Sequence, residues 1–185
     1  MAQRRNTSWQ RYVVAGVLAA LVGGVGFAAC GNGSSSDSAS TTSTTSNSAK
    51  GKPCVARVDP LPKGAPEVPV QVGPAPPGLV LEDLVPGTGE VVIANSTVTV
   101  DYIGVACSTG KIFDSSYATG QPVSFGLDQV IKGWSQGLLG MYVGGTRLLY
   151  IPADLAYGSQ SPTPDIAPDE GLWFVVQLRA SSVQG

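Results

Sequence analysis

Three stretches in the second half of this chain alternate in polarity with a period of two, and only one short stretch recurs at helical spacing. In "TVTVDYIGVAC", Val98, Val100 and Tyr102 fall on one face and Thr97, Thr99 and Asp101 on the other, as a half-buried β-strand requires. "TRLLYIPA" and "GLWFVVQLRA" read the same way, and in the second Leu172, Phe174, Val176 and Leu178 share a face opposite Trp173, Val175 and Gln177. Helical spacing is confined to "KGWSQGLLGM", where Trp134, Leu138 and Met141 recur. Glycine-bearing turns, "PGTGE", "STGK" and "ATGQP", separate these elements. The pattern predicts an α+β domain over 78–185, one antiparallel sheet wrapped over one helix. No internal repeat is visible.

The rest of the chain is built differently. "MAQRRNTSWQR" carries positive charge, "YVVAGVLAALVGGVGF" is apolar, and "AAC" closes the run with small residues before Cys30. This is the layout of an export signal over 1–29. The alternative is a retained membrane helix, but the run is short for a bilayer and its glycines weaken a helix. The ending resembles a bacterial lipobox, in which the cysteine becomes the lipidated first residue of the mature protein, so Cys30 is the expected lipidation site. Residues 30–52 are nearly pure Ser, Thr, Asn, Gly and Ala, a composition that cannot bury enough apolar surface to offset ordering, and they read as a flexible tether. Residues 53–77, "PCVARVDPLPKGAPEVPVQVGPAPP", are punctuated by proline and should be extended. As a coil, Gly31 to Pro77 would hold the domain roughly 40 Å from an anchor. The expected location is the bacterial cell envelope, on the outer face of the cytoplasmic membrane.

Charge and composition remove several classes of function. The formal net charge is −2, with no basic cluster beyond the N-terminus, so no sustained field exists to capture nucleic acid. There is no histidine, which excludes Ser/His/Asp and Cys/His nucleophilic machinery and most transition-metal sites. Neither a metal nor a cofactor is expected. With Cys30 lipidated, Cys54 and Cys107 remain as a pair; in an oxidising compartment a bridge is favoured over two free thiols.

Over residues 79–180 the pieces "LVPGTGE", "VTVDYIGVACSTGKIFDSS", "QPVSFGLDQVIKGWSQGLLGMYVGGTRLLYIPADLAYG" and "GLWFVVQL" resemble, in family order, an FKBP-type peptidyl-prolyl isomerase. "IFDSS" followed by "VIKGW" and "LAYG" is far more specific than any one short motif. The resemblance implies a bent antiparallel sheet around a short helix and accounts for a tryptophan set between Gly133 and Ser135. Trp134 would floor a shallow apolar pocket for a proline ring, with Tyr102, Phe113, Val130, Ile131 and Phe174 as walls. It further implies that the Ile131 backbone N–H and the Tyr157 hydroxyl donate to a substrate carbonyl, that Asp114 sits at the rim near the Tyr102 hydroxyl, and that Ile166 belongs to the pocket. Val123 stands where many members carry a wall aromatic, Thr119 where many carry an arginine partnering the rim aspartate, and Leu155 where a tyrosine is common. Pro162 and Asp165 fall in the flap. These departures bear on turnover and drug affinity more than on fold.

Such chemistry suits a chain without imidazole. Rotation about an X-Pro bond is opposed by amide resonance, a barrier of roughly 18 to 20 kcal/mol, and needs no proton transfer or nucleophile. The implied partners are proline-containing polypeptides and macrolides of the tacrolimus and rapamycin type, with the membrane reached through the lipid; a monomer is expected. Two rival functions remain from the sequence: a module that holds proline segments without catalysis, and a structural lipoprotein with this fold as its head.

Overall fold

The computed structural model describes residues 51–183. The signal sequence, Cys30 and most of the tether lie outside these residues. Within them the strands are β1 (Val80–Val85), β2 (Ser96–Ala106), β3 (Ile112–Ser115), β4 (Val123–Gly126), β5 (Thr146–Ile151) and β6 (Leu172–Val183), with a single α-helix, α1 (Lys132–Gly137), between β4 and β5. They form one antiparallel sheet in the order β1-β5-β6-β2-β3, with β4 also paired to β2. The long central ladder runs from Ser96 opposite Val183 to Ala106 opposite Leu172, with a register shift between Thr99 and Val100. This is the α+β architecture that the alternation predicts.

One face of the sheet closes over the helix. Val98, Val100 and Tyr102 from β2 and Leu172, Phe174, Val176 and Leu178 from β6 pack with Trp134, Leu138 and Met141 in one buried cluster. The helix is shorter than its apolar spacing suggests: it ends at Gly137, and Met141 reaches the core after a turn through Gly140, whose φ of 72° is left-handed. Two glycines in six residues make a poor helix by propensity, and packing explains at least one. A Cβ on Gly133 would lie 2.2 Å from the Ile151 side chain, so only glycine lets α1 settle directly on β5.

The opposite face departs from the expected half-buried strand. Thr97, Thr99 and Asp101 are followed on the same face by Ile103, Val105 and Cys107, and Trp173 and Val175 by Gln177 and Arg179. The apolar half of that face is buried under residues 54–75, with Cys54, Val68 and Ala75 in a second cluster against Ile103, Val105, Leu148, Tyr150, Trp173 and Val175. Residues 53–77 are therefore not a spacer, and the leash length reckoned to Pro77 is too long. The prolines remove donors, but several of the remaining backbone groups find partners: Cys54 and Gly73 exchange hydrogen bonds, Val55 N–H donates to the Cys107 carbonyl at 2.8 Å, and Val58 N–H donates to the Gly110 carbonyl at 2.9 Å. Ile112 N–H donates to Asp59 Oδ2 at 2.7 Å. A Cys54–Cys107 disulfide fastens the start of this strap to the end of β2.

Candidate active site

Trp134 sits in the first turn of α1, where the helix meets the concave face of the sheet, and only 4% of it is exposed. Three rings meet it nearly edge to face: Tyr102 at a centroid distance of 5.3 Å, Phe125 at 5.5 Å and Phe174 at 5.4 Å. Phe113 stands edge-on to Phe174 at 5.5 Å. Such T-shaped contacts hold rings rigidly in place. Gly104 in β2 makes the last pair possible, since a Cβ there would lie 2.6 Å from Phe113 and 2.9 Å from Phe174. The result is an open bowl of about 280 Å³, lined by these aromatics together with Asp114, Gln129, Val130, Ile131 and Tyr157.

Two kinds of polar group meet at the rim. Tyr102 Oη donates to Asp114 Oδ2 at 2.6 Å, and Ser115 N–H donates to Asp114 Oδ1 at 2.8 Å, so both carboxylate oxygens are engaged. Behind them, Ser116 Oγ accepts from Tyr102 N–H at 3.0 Å and donates to Asp101 Oδ1 at 3.1 Å, while Arg179 Nε donates to Asp101 Oδ2 at 2.7 Å. This chain pins β2 to the turn after β3. The second kind is unengaged. Among the described residues the Tyr157 hydroxyl makes no hydrogen bond, and the Ile131 N–H donates to none, although the Ile131 carbonyl accepts from Trp134 and Ser135 N–H groups. Burial raises the pKa of Tyr102 above the ordinary tyrosine value, and its hydrogen bond to Asp114 and that carboxylate's charge raise it further. Burial, then the Asp114 charge, does the same for Tyr157. Both phenols stay protonated donors at neutral pH.

Residues 89–179 match the family model for FKBP-type peptidyl-prolyl cis-trans isomerases. Over 118 residues the chain is 49% identical to the FK506-binding protein of Streptomyces anulatus, a match that takes in 62% of this chain and 95% of that one. The chain belongs to the FKBP-type peptidyl-prolyl cis-trans isomerase family. This FKBP is also 44% identical over 113 residues to a probable FK506-binding protein of Corynebacterium glutamicum, 61% of this chain and 95% of the relative. The crystal structure of FkpA from Escherichia coli superposes with a TM-score of 0.53 at 43% identity, over 57% of this chain and 48% of that one. A peptidyl-prolyl isomerase from Pseudomonas syringae pv. tomato does so with a TM-score of 0.53 at 39% identity, over 65% and 85%. The family model is that of a peptidyl-prolyl cis-trans isomerase, and Mip of Coxiella burnetii, named as such an isomerase, is 44% identical over 101 residues, 55% of this chain and 44% of that one.

Of the residues singled out from sequence, Tyr102, Phe113, Asp114, Val130, Ile131, Trp134, Tyr157 and Phe174 surround the bowl of this FKBP. Val123 and Ile166 do not. Val123, the first residue of β4, pairs with Val100 of β2, and its short side chain packs against the main core. The wall on that side is Phe125, two residues further along the same face, whose ring centroid lies 6.0 Å from that of Tyr102. The period of two in "VSF" carries this signal: a wall that starts at Val123 continues at Phe125. Gln129, the other lining residue missed, lies in a turn with no periodicity to mark it. Ile166 is buried in the main core, where its N–H donates to the Thr163 carbonyl at 3.2 Å. Thr119 Oγ1 donates to the Ser116 carbonyl at 3.0 Å, and among the described residues no salt bridge engages Asp114.

Proposed function

We propose that this isomerase acts on exported polypeptides, seating the proline ring against Trp134 while the carbonyl before it turns toward the two unengaged donors, Ile131 N–H and the Tyr157 hydroxyl. The observation that carries the reading is an apolar bowl whose free hydrogen-bonding capacity includes these donors at its lip. An apolar surround disfavours the charge-separated resonance form that keeps the amide planar, and donors that gain more from the twisted carbonyl bind the transition state better than the ground state. Each 1.4 kcal/mol or so of that difference is about tenfold in rate. Asp114 fixes Tyr102 as one wall; it transfers no proton. FK506-type macrolides, which give the relatives their names, would compete for the same bowl.

The place of action is part of the proposal. The "FAAC" ending at Cys30 supports lipid attachment outside the cytoplasmic membrane, and a disulfide is at home in an oxidising compartment. A monomeric head on a lipid-anchored tether meets clients as they emerge. The test is an isomerisation assay on the full chain in detergent, with and without macrolide, beside mass spectrometry of the membrane-extracted protein. Turnover blocked by macrolide together with a lipidated Cys30 N-terminus is expected. Binding of a proline peptide that perturbs Trp134 fluorescence without accelerating isomerisation would replace catalysis by simple holding, and an intact Met1 would refute the anchor.

A further inference from the structure

A second cavity, about 420 Å³, opens where the strap crosses the end of the sheet. Pro76 and Pro77 of the strap form one wall, the loop after β5 another, and Tyr150 of β5 lies at its base. Tyr150 is 2% exposed, yet its hydroxyl makes no hydrogen bond within the described residues. The ring is buried, while the hydroxyl oxygen opens into the cavity as an acceptor and donor not engaged by the described residues. Its ring packs close against the backbone at Gly171, where a Cβ would lie 2.4 Å from the hydroxyl oxygen. Asp154 and Asp169 line the same space, and no basic residue does. Neither carboxylate has a salt bridge among the described residues. Lys52 is nearby in sequence to the strap's edge, but its ammonium is directed to the Pro168 carbonyl at 3.4 Å.

We propose that this cavity is a subsite for a lysine or arginine side chain of the polypeptide substrate, close in sequence to the proline held against Trp134. Two carboxylates and a phenol oxygen are acceptors suited to an ammonium or guanidinium head, and proline rings suit the aliphatic stem behind it. Two carboxylates alone make a poor metal cage, and no group of three potential ligands occurs among the described residues. The position relative to the bowl fits. Tyr157 lines the bowl and its neighbour Gly158 lines the cavity, so the loop after β5 borders both, the bowl on the helix side of the sheet and the cavity on the strap side. An extended substrate, advancing about 3.4 Å per residue, would round this loop to carry a side chain from the bowl to the cavity. The strap makes the site, since Pro76 and Pro77 supply a wall that the sheet and loops alone lack.

This inference rests on the isomerase reading of the bowl, and one experiment separates the two. Peptides of fixed length with a central proline carry arginine, lysine, norleucine or glutamate at a single position, scanned from four residues before the proline to four after. For the full chain at low salt, kcat/KM should favour arginine and lysine over norleucine by about three- to tenfold at one or two positions, with glutamate below norleucine and the contrast fading as salt is added. Asp154→Asn with Asp169→Asn should level the four peptides while leaving turnover of the norleucine peptide unchanged, which also reports an intact fold. Tyr150→Phe should reduce the preference in part. Cationic peptides no better than norleucine at every position, or a preference that survives the double substitution, would overturn the subsite and leave the isomerase reading standing. If the wild-type chain turns over none of the peptides, the isomerase reading fails instead, and direct binding titrations of the same set decide the subsite by the same charge contrast.

Discussion

The Tyr102 hydroxyl donates to Asp114 Oδ2 at 2.6 Å, and this bond joins the wall of the bowl to its rim. Tyr102 is buried in the core cluster while Asp114 is exposed, so the two ends of the bond answer differently to mutation. Asp114→Ala should lower kcat/KM several-fold by freeing the Tyr102 ring, yet shift the melting temperature by no more than about 3 °C, because little apolar packing is lost. Tyr102→Phe keeps the ring and should cost less activity than Asp114→Ala. A large melting shift for Asp114→Ala would mean that the carboxylate holds the fold rather than the site.

Tyr157 and Trp134 separate the donor from the floor. Because the Tyr157 hydroxyl makes no hydrogen bond among the described residues, Tyr157→Phe should leave stability unchanged. It should reduce turnover by about two- to tenfold, the worth of one neutral hydrogen bond. Trp134→Ala removes a ring that meets three others and should cost roughly 3 to 5 kcal/mol of stability. Trp134→Phe is the informative companion, expected to fold with reduced turnover. Steady-state kinetics beside thermal melts read both. Equal stability loss in Tyr157→Phe would contradict a free hydroxyl.

Gly104→Ala probes the wall from behind. The new methyl would lie 2.6 Å from Phe113, so Phe113 and Phe174 must part. Overpacking of this kind costs about 1 to 3 kcal/mol, and the displaced rings narrow the bowl. The expectation is a loss of kcat/KM greater than tenfold in a protein that still melts cooperatively. Unchanged turnover would show that the Phe113–Phe174 contact is not needed.

Much of this is legible in the sequence alone. The strands around Val98, Val100 and Tyr102 and around Leu172 to Leu178 follow from alternation, and most of the bowl follows from the family motifs that carry Phe113, Trp134 and Tyr157. What stayed hidden depends on pairings between distant segments. The strap is nearly structureless in pattern, and its docking shows in sequence only indirectly, where the outward face of β2 turns from Thr99 and Asp101 to Ile103 and Val105. Phe125 stays hidden because the family resemblance marks one wall position, Val123, and only the strand's period of two leads on to the next residue on that face. The cavity beneath Pro76 and Pro77 has no local signature at all, since its parts come from the strap, from β5 and from the turn before β6.

The disulfide can be tested by protease as well as by heat. Its 53-residue separation corresponds to about 4 kcal/mol on a chain-entropy model, and less to the extent that the strap stays docked through its other bonds. Reduction, or paired Cys54→Ser and Cys107→Ser substitution, should lower the melting temperature by about 5 to 15 °C. Trypsin should then cut after Arg57 and Lys63 much faster than in the oxidised protein. Cleavage at equal rates in both forms would show that the strap's docking owes nothing to the bridge.

Alkaline titration gives the last test, and its sign follows from burial. Tyr102 and Tyr157 both have folded-state pKa values above the ordinary tyrosine value near 10. Below that pH both states hold their phenol protons and the phenols add no pH dependence. Above it the unfolded chain loses these protons more readily than the folded one, so stability falls as pH rises from about 10 through the folded values. Activity should therefore show no tyrosine titration between pH 6 and about 9. Urea unfolding at a series of pH values should show stability declining above about pH 10, and Tyr102→Phe should make that decline shallower than in the wild type. An identical slope in the two proteins would mean that the Tyr102 phenol is no harder to ionise in the folded state. That result would also undercut the tight Tyr102–Asp114 bond from which its role as a fixed wall was argued.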